Sequence, residues 1–325
     1  MSNRAQAPDF LCDEEGPDRE ITLDPRIVKL TTRTGVDIRR TLPHRHIRTI
    51  GAWCFVDHYG PTDQVNAMSV AAHPHTGLQT VSWLFSGEVE HRDCMGSVQN
   101  VMPGELNLMT SGRGIAHSEL SINDQTLLHG VQLWTVLPDQ HRNVEPSFNH
   151  YSDLPVFDWK EIKIRLFIGE FLGHISLAKT FSPLIGAEID LPLGSETEIP
   201  ADRRFEYGVL VVAGEASVNS NPINHGQLHY VPAGKASLVL ASSTGAKLIL
   251  LGGEPFKEKI VMWWNFIARS HDEIVQMRDD WQNQSPRFPA FEDRIGGRIP
   301  APTLPNLKLS PRGNPSPATS TTEIS

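Results

Sequence analysis

The sequence predicts an all-β protein made of two tandem β-barrels followed by one helix. Short runs of β-branched and aromatic residues recur at intervals of about 8–12 residues, and glycine and proline turns separate them. The turns repeat too: the sequences at 85–88 and 102–105 resemble those at 212–215 and 231–234, in the same order. Such an internal repeat indicates two related domains in one chain.

The predicted strands fall into two series. The first series lies at 27–30, 36–42, 53–61, 78–85, 89–93, 106–110 and 127–137. The second series lies at 162–168, 175–181, 187–191, 207–212, 228–231, 236–240 and 247–251. We therefore expect an amino-terminal domain at 23–140 and a carboxy-terminal domain at 160–300, joined by a polar, turn-rich connection.

One helix is predicted late in the chain, at 270–282. Ser270 and Glu273 have the spacing of a capping box, in which each side chain hydrogen-bonds the other residue's backbone N–H. Ile274, Met277 and Trp281 then form one apolar stripe at helical spacing.

Both ends of the chain differ from the body in composition. Residues 1–22 are polar and acidic, and we expect them to be flexible. Residues 301–325 form a tail rich in proline, serine and threonine. We expect disorder from about residue 308, because so few apolar side chains cannot offset the entropy of ordering.

The charge of the chain argues against one class of protein, those that bind nucleic acid directly. The 325 residues carry a formal net charge of −9, which argues against direct nucleic-acid binding. A small basic cluster (Arg39, Arg40, Arg45 and Arg48, with His44 and His46) is interpreted as a solvated strand edge and loop.

Cysteine use and hydropathy indicate the compartment. The three cysteines, Cys12, Cys54 and Cys94, have no CxxC spacing and predict neither a disulfide framework nor a thiolate zinc site. No signal-like segment and no apolar run of about 18 residues occurs, so we expect a cytoplasmic protein without a membrane span.

Two short motifs carry the strongest chemical signal, His73-Pro74-His75 and His117-Ser118-Glu119. Alternate side chains of a strand share a face, so each motif presents two metal-capable groups on one side. Two such strands together would converge three imidazoles and one carboxylate. That set, with coordination positions left open, suits Fe(II) and also Mn, Co, Ni or Cu.

The motifs in their context resemble the pirin family of the cupin superfamily. The resemblance rests on residues 73–81, Gly104 and residues 110–119, and on the stretch 252–269 with its Gly-Gly-Glu-Pro and Trp-Trp-Asn-Phe-Ile-Ala-Arg sequences. It extends from about residue 27 to 305. It implies two cupin domains, with one divalent metal in the first domain only. Fe(II) is the first expectation, and Mn, Co, Ni, Cu or Zn are alternatives.

The same resemblance assigns the ligand roles to His73, His75, His117 and Glu119. In the wider cupin pattern a glutamate ligand follows the HxH pair, and here Gln79 stands at that position. Gln79 is therefore expected to hydrogen-bond near the ligands or simply to pack.

Other candidate residues receive structural interpretations. Arg113 could hold a substrate oxygen, but we favour a role in bracing its loop. His91 and Asp93 could pair beside the ligands, although surface exposure is the preferred interpretation. His58, His225 and His229 are interpreted as structural histidines. His225 and His229 belong to no HxH pair and have no partner carboxylate, and His58 lies beside Tyr59-Gly60-Pro61.

The resemblance supports two hypotheses of function. The first is a dioxygenase similar to quercetin 2,3-dioxygenase, which opens a flavonol ring with O2 and releases carbon monoxide. Glu119 would then accept the substrate's hydroxyl proton as well as bind the metal. Trp53, Phe55 and Trp83 are candidates to line the mouth of that site. The second hypothesis is an iron-binding regulator that acts through a transcription factor or a metabolic enzyme, without turnover.

Overall fold

The computed structural model describes residues 18–29, 36–63, 68–122 and 127–314. Twelve strands lie in the first half of this part: β1 (Ile21–Leu23), β2 (Arg26–Lys29), β3 (Asp37–Leu42), β4 (Trp53–Thr62), β5 (Ser69–His75), β6 (Leu78–Ser86), β7 (Val89–Asp93), β8 (Val98–Val101), β9 (Leu106–Thr110), β10 (Ile115–Ser121), β11 (Leu128–Val136) and β12 (Ser147–Tyr151). A short 3-10 helix, Asp139–His141, lies between β11 and β12.

The second half of the described chain contains thirteen further strands and the helix. They are β13 (Val156–Trp159), β14 (Ile162–Phe171), β15 (His174–Ile175), β16 (Leu184–Leu191), β17 (Ser195–Pro200), β18 (Glu206–Gly214), β19 (Ala216–Val218), β20 (Asn221–Ile223), β21 (Leu228–Val231), β22 (Ser237–Ser242), β23 (Ala246–Gly253), β24 (Val261–Trp263), β25 (Phe266–Ala268) and α1 (His271–Gln282).

These strands form two barrels, each made of a large and a small sheet. The first barrel combines the order β12-β9-β6-β11-β4-β3-β2 with the order β5-β10-β7-β8. The second combines β1-β21-β18-β23-β16-β14-β13 with β17-β22-β19-β20. Strands β24 and β25 form a separate hairpin. The predicted all-β fold with two tandem barrels is confirmed.

The first strand of the described residues belongs to the second barrel. Strand β1 pairs with β21, with Thr22 opposite His229. The Thr22 hydroxyl also contacts His229 Nδ1 at 2.9 Å, and Glu20 lies 3.2 Å from the other ring nitrogen. Residues 18–23 therefore bind the carboxy-terminal barrel, while residues 1–17 lie outside the described part.

The repeat of turns is partly as predicted. Gly87 and Gly214 occupy equivalent turns, after β6 and after β18, and both have positive φ. The turn at 102–105, however, corresponds to the turn at 224–227 and not to 231–234. Glu105 N–H donates to the Met102 carbonyl, and the Glu105 carboxylate accepts from the Met102 N–H. Gln227 makes the same two hydrogen bonds with Asn224.

One predicted strand is wrong. Residues 175–181 do not form a strand beyond Ile175, the last residue of β15. Ile175 and Leu177 are 61% and 82% exposed, so their apolar side chains have no core to enter. The next strand, β16, begins at Leu184, three residues before the predicted start.

The predicted helix and its capping box are confirmed. Ser270 Oγ accepts from the Glu273 N–H, and the Glu273 carboxylate accepts from the Ser270 N–H. Ile274, Met277 and Trp281 are the buried residues of α1. They pack on the outside of the first barrel, with Ala72 and Ala116 in the same apolar cluster.

Contacts with the rest of the protein continue beyond residue 308, where the composition of the tail predicts disorder. Arg312 bridges to Ile260, and the Asn314 side chain accepts hydrogen bonds from the backbone N–H groups of Arg48 and Thr49. The expectation of disorder from residue 308 is therefore wrong for residues 308–314. Residues 315–325 lie outside the described part.

A large apolar cluster joins the two barrels. Trp53 and Trp83 of the first barrel share it with Phe167 of the second, and Trp83 stacks on Phe167 at 4.8 Å. Trp83 Nε1 donates to the Glu188 carboxylate at 2.8 Å. Trp53 Nε1 lies 3.2 Å from the backbone carbonyl of Ile185. Both indoles are therefore part of the interface.

The basic cluster is only partly solvated. Arg40 is 3% exposed and forms a two-pronged ion pair with Asp57, at 2.6 and 2.7 Å. Its guanidinium also lies over the Phe55 ring, 4.3 Å from the centroid. The prediction of a solvated edge is wrong for Arg40, whose buried charge is matched by a buried carboxylate. In the described residues, no helix is long and apolar enough to cross a membrane.

Candidate metal centre

Two neighbouring strands of the first barrel bring the predicted histidines together. Strands β5 and β10 are antiparallel, and their register places His117 directly opposite His73. The ring centroids of His73 and His117 are 4.3 Å apart, and each lies 5.0 Å from the ring of His75. One nitrogen from each ring lies within 4.8 Å of the others. Alternate residues of β5, together with His117 on the neighbouring strand, thus form one cluster of three imidazoles.

Burial keeps these imidazoles neutral. His73, His75 and His117 are 7%, 1% and 1% exposed. Loss of hydration lowers the pKa of His73 to about 3 and holds the pKa values of His75 and His117 well below 6.5. Neutral imidazoles keep the nitrogen lone pairs that metal binding requires.

Two buried nitrogens in this cluster have no hydrogen-bond partner, His75 Nδ1 and His117 Nε2. An unpartnered buried polar atom costs about 1–3 kcal/mol. His73 Nδ1 donates to the Ala71 carbonyl at 2.9 Å, which leaves its Nε2 free as a ligand. Two of the three rings thus carry an unpartnered buried nitrogen, and one nitrogen of each ring lies within 4.8 Å of the others, an arrangement that fits a metal ion.

His91 and Asp93 control the orientation of His117. His91 Nε2 lies 3.1 Å from Asp93 Oδ2, and His91 Nδ1 lies 3.3 Å from His117 Nδ1. Asp93 can only accept, so His91 Nε2 donates and its Nδ1 accepts from His117 Nδ1–H. This chain of bonds selects the tautomer of His117 whose Nε2 lone pair is free. His91 and Asp93 are 4% and 2% exposed, so the predicted surface exposure is wrong.

Glu119 lies on the same strand but outside the three-histidine group. Its Oε1 accepts from Gln132 Nε2 at 3.3 Å. Ser82 Oγ lies 3.3 Å from the same oxygen and donates its proton to Gln132 Oε1 at 2.8 Å, so it orients the Gln132 amide. Glu119 is 7% exposed, and burial raises the pKa of its carboxyl. The register against β5 shifts between His117 and Glu119, which brings Glu119 opposite Val70. Ser82 and Gln132 were not predicted from the sequence.

An aromatic wall adjoins the cluster. Trp134 meets the His75 ring edge-on at 5.0 Å and stacks on Phe55 at 4.0 Å. Of the three aromatic candidates, Phe55 alone belongs to this wall, since Trp53 and Trp83 turn into the barrel interface. Trp134 was missed because strand β11 is buried along almost its whole length, so alternation does not show which face is interior.

Two glycine turns let backbone approach the site closely. Gly77 has φ +70°, and a Cβ there would lie 2.3 Å from the Ile267 carbonyl oxygen of β25. Gly112 has φ +48°, and a Cβ there would lie 1.9 Å from the Val144 carbonyl oxygen. Both positions therefore require glycine. They allow the backbone next to β5 and β10 to pack closely against the Ile267 and Val144 carbonyl groups.

Gln79 and Arg113 have structural contacts. Gln79 Nε2 donates to Thr110 Oγ1 at 2.9 Å and to the Lys179 carbonyl at 3.1 Å. These bonds tie the sheet to the segment after β15. The Arg113 side chain is 57% exposed and pairs with Glu145, in keeping with a role in bracing its loop.

His58 and His225 belong to a separate group at the interface. His58 is fully buried, its Nε2 lies 2.9 Å from His129 Nε2, and its ring contacts that of His225 at 5.2 Å. Burial lowers the pKa of His58 to about 2 and that of His129 to about 4. These neutral rings pack between the barrels, away from the three-histidine cluster.

Comparison with known proteins identifies the family. The Pirin family model matches residues 35–135, and the model of the pirin C-terminal cupin domain matches residues 186–289. The chain belongs to the pirin family. Both barrels are therefore cupin domains, as the resemblance implies.

Two relatives that are 37% identical to this pirin carry the name of one enzyme. A Pseudomonas aeruginosa protein, provisionally named a quercetin 2,3-dioxygenase, is 37% identical over 94% of this chain and 98% of its own. A crystal structure titled quercetin 2,3-dioxygenase, from Acinetobacter baumannii, is 37% identical with a TM-score of 0.84, covering 90% of this chain and 98% of that one. An Escherichia coli pirin solved with nickel(II) is 14% identical with a TM-score of 0.58, covering 73% and 100%, and shares the fold.

Proposed function

We propose that this pirin is a metal-dependent dioxygenase that acts on a small, flat aromatic substrate of the flavonol type. The observation that carries the proposal is the cluster of three buried imidazoles, two of which have a buried nitrogen without a hydrogen-bond partner. The name shared by two 37% identical relatives supports the choice of reaction. The overall reaction would open the flavonol ring with O2 and release carbon monoxide.

Four residues are proposed to hold the ion: His73, His75, His117 and Glu119. This donor set suits Fe(II) first among the divalent first-row metals, with Mn, Co, Ni, Cu or Zn as alternatives. A bound ion would polarise a phenolic oxygen and acidify its hydroxyl. Glu119 is the proposed acceptor of that proton, because it is the carboxylate nearest to His117 along β10.

The remaining residues would position these groups. Gln132 donates to Oε1 of Glu119 and Ser82 orients the Gln132 amide, an arrangement that would leave the other oxygen of Glu119 for the ion. Asp93 and His91 hold the ring of His117. Trp134 and Phe55 would pack against the flat ring of the substrate, since stacked aromatic side chains favour planar ligands.

The near-complete burial of the imidazoles favours one alternative, a metal-binding regulator without turnover. It would act through a protein partner. One assay separates the two functions: purified protein is loaded with Fe(II), Mn(II), Ni(II) or Cu(II), and quercetin absorbance and oxygen consumption are followed. The dioxygenase predicts stoichiometric loss of quercetin and O2 with at least one metal. Full metal loading without any quercetin loss would refute it and favour the regulator.

Two variants make that assay specific. His117→Ala should abolish the quercetin-dependent oxygen consumption. His174→Ala is the matched control, because His174 is exposed on the second barrel and its ring contact is with Phe157. Equal activity in His117→Ala and His174→Ala would show that the turnover does not take place at this cluster.

A further inference from the structure

The strand that carries His73 and His75 lies at the edge of its sheet. Strand β5 pairs with β10 and is the last strand of the order β5-β10-β7-β8. The outer side of an edge strand leaves backbone groups without a strand partner. Pro74, between the two histidines, is suited to such an edge because proline has no backbone N–H to pair. The positions of these two ligands therefore depend on support from another part of the chain.

The chain after the second barrel supplies this support. The Ile299 N–H donates to the Ala72 carbonyl at 2.8 Å, and the Ile267 N–H donates to the Thr76 carbonyl at 3.0 Å. These two hydrogen bonds flank the segment 73–75. Both histidines of β5 thus lie between two points at which the carboxy-terminal part of the chain holds the strand.

Side-chain packing strengthens the contact at Thr76. Thr76 is fully buried, and its Oγ1 donates to the Met277 Sδ of α1 at 3.1 Å. Phe266 of β25 forms a parallel bridge with Thr76. Its ring is fully buried in the apolar cluster that includes Ala72 and Ala116. The hairpin β24–β25 and helix α1 therefore pack directly behind the strands that carry the histidines.

A further contact reaches the turn that follows β5. Arg269 Nη2 donates to the Leu137 carbonyl at 2.8 Å, and the Leu137 N–H donates to the Gly77 carbonyl at 3.0 Å. Residues 266–269 belong to the stretch that resembles pirins, and they follow the second barrel in sequence. Their contacts, however, are with the barrel that contains the candidate metal centre.

We infer that the segment 261–301 positions His73 and His75 for the metal, and that the ion and this segment stabilise each other. The inference rests on the proposed metal centre. An ion that holds the two imidazoles also holds β5 in the conformation whose carbonyls accept from Ile267 and Ile299. Coupling between two sites is reciprocal. A loosened segment therefore weakens metal binding, and removal of the metal loosens the segment.

Phe266→Ala tests the first direction of this coupling. It removes the buried ring behind Thr76 and should lower metal affinity at least about 10-fold, measured by titration of the full chain with Ni(II) against a competing chelator. Phe205→Ala is the matched control, because Phe205 is 6% exposed in the core of the second barrel and should keep the wild-type affinity. Equal affinities in the two variants would overturn the inference, whether both fall or neither does.

Hydrogen exchange followed by mass spectrometry tests the second direction without any substitution. In the wild type, the amides of Ile267 and Ile299 should exchange about 5-fold or more slowly with Ni(II) bound than without it. Peptides from β19 and β20 of the second barrel should exchange equally in both states. Unchanged exchange at Ile267 and Ile299 in a protein that binds Ni(II) would overturn the inference alone. A protein that binds none of Fe(II), Mn(II), Ni(II) and Cu(II) would refute the proposed metal centre and this inference with it.

Discussion

The two barrels share a fold but differ in what fills them. The strands that correspond to β5 and β10 in the second barrel are β17 and β22, which pair in the same way. Where the first barrel has His73 and His117, the second directs Ile199, Leu238 and Leu240 into its core. Among the described residues, 21 buried apolar side chains form one cluster inside the second barrel, whereas the interior of the first barrel holds the three buried imidazoles beside Trp134 and Phe55.

This difference indicates a division of labour. Burial of aliphatic side chains stabilises a fold, whereas buried imidazoles and carboxylates cost free energy unless they are partnered. The second barrel thus has an apolar interior, and the first barrel places polar groups where chemistry requires them. The four predictions below test this contrast, from the largest expected effect to the smallest.

Truncation of a buried side chain in the core of the second barrel should have the largest effect on stability. Leu250 is fully buried between β16 and β18, so Leu250→Ala should lower the free energy of unfolding by about 2–5 kcal/mol in urea titrations. Leu193→Ala, at a position that is 76% exposed, should change it by less than about 0.5 kcal/mol. Equal effects of the two variants would mean that this core does not stabilise the protein.

The junction between the barrels should make stability depend on pH. Glu206 of the second barrel accepts from the Gly51 N–H at 2.6 Å and from Tyr230 Oη at 2.8 Å. Burial raises the pKa of Glu206 from 4.5 to about 7. The folded state therefore holds this proton more tightly than the unfolded state. The resulting stability is fully present below pH 4.5 and is lost as pH rises through 7, up to about 3 kcal/mol.

Glu206→Gln should remove that dependence, because the amide stays neutral and can serve both partners. Unfolding in urea at pH values from 5 to 8 measures it. The variant should match the wild type at the acidic end and exceed its stability at the basic end. Parallel pH profiles for the two proteins would contradict the role assigned to Glu206.

The hydrogen bonds around Glu119 should tune metal affinity. Ser82→Ala removes the hydroxyl that donates to Gln132 Oε1 and thereby orients the amide that donates to Glu119 Oε1. Loss of such a supporting group typically weakens metal binding about 10- to 100-fold. Titration against a competing chelator measures this. Ser86→Ala, whose hydroxyl donates to the Leu127 carbonyl, is the control. Wild-type affinity in Ser82→Ala would exclude Ser82 from positioning a ligand.

The helix cap should have the smallest effect. Ser270→Ala loses the hydrogen bond from the Glu273 N–H, at about 1 kcal/mol of stability, which lowers the melting temperature by a few degrees. Ser270→Asp should restore most of the loss, since aspartate caps helices well. A helix that needs no cap would leave both variants at the wild-type melting temperature.

Much of the fold and of the site could be predicted from local patterns. Strand alternation was sufficient to bring His73, His75 and His117 together, because both motifs lie on paired strands of one small sheet. The capping box likewise predicted α1 at its observed start. These features depend on residues close together in sequence.

The remainder depends on contacts between distant strands. Ser82 and Gln132 reach Glu119 from β6 and β11, and no local pattern specifies that register. Trp53 and Phe55 lie two residues apart on β4 and would share a face of a regular strand, but the register against β11 shifts between them. No local pattern specifies that shift, and Trp53 faces the second barrel while Phe55 stacks on Trp134. The strand predicted at 175–181 is wrong because pairing with β14 ends at Ile175, and the apolar side chains of Ile175 and Leu177 are exposed.

The most direct test of the division between the barrels is the metal content of the purified protein, measured by mass spectrometry. The wild type and His174→Ala should each hold one ion per chain, while His75→Ala and His117→Ala should hold less than about a tenth of that. Full stoichiometry in His75→Ala and His117→Ala would contradict the assignment, because the ion would then be held by residues outside the first barrel's cluster.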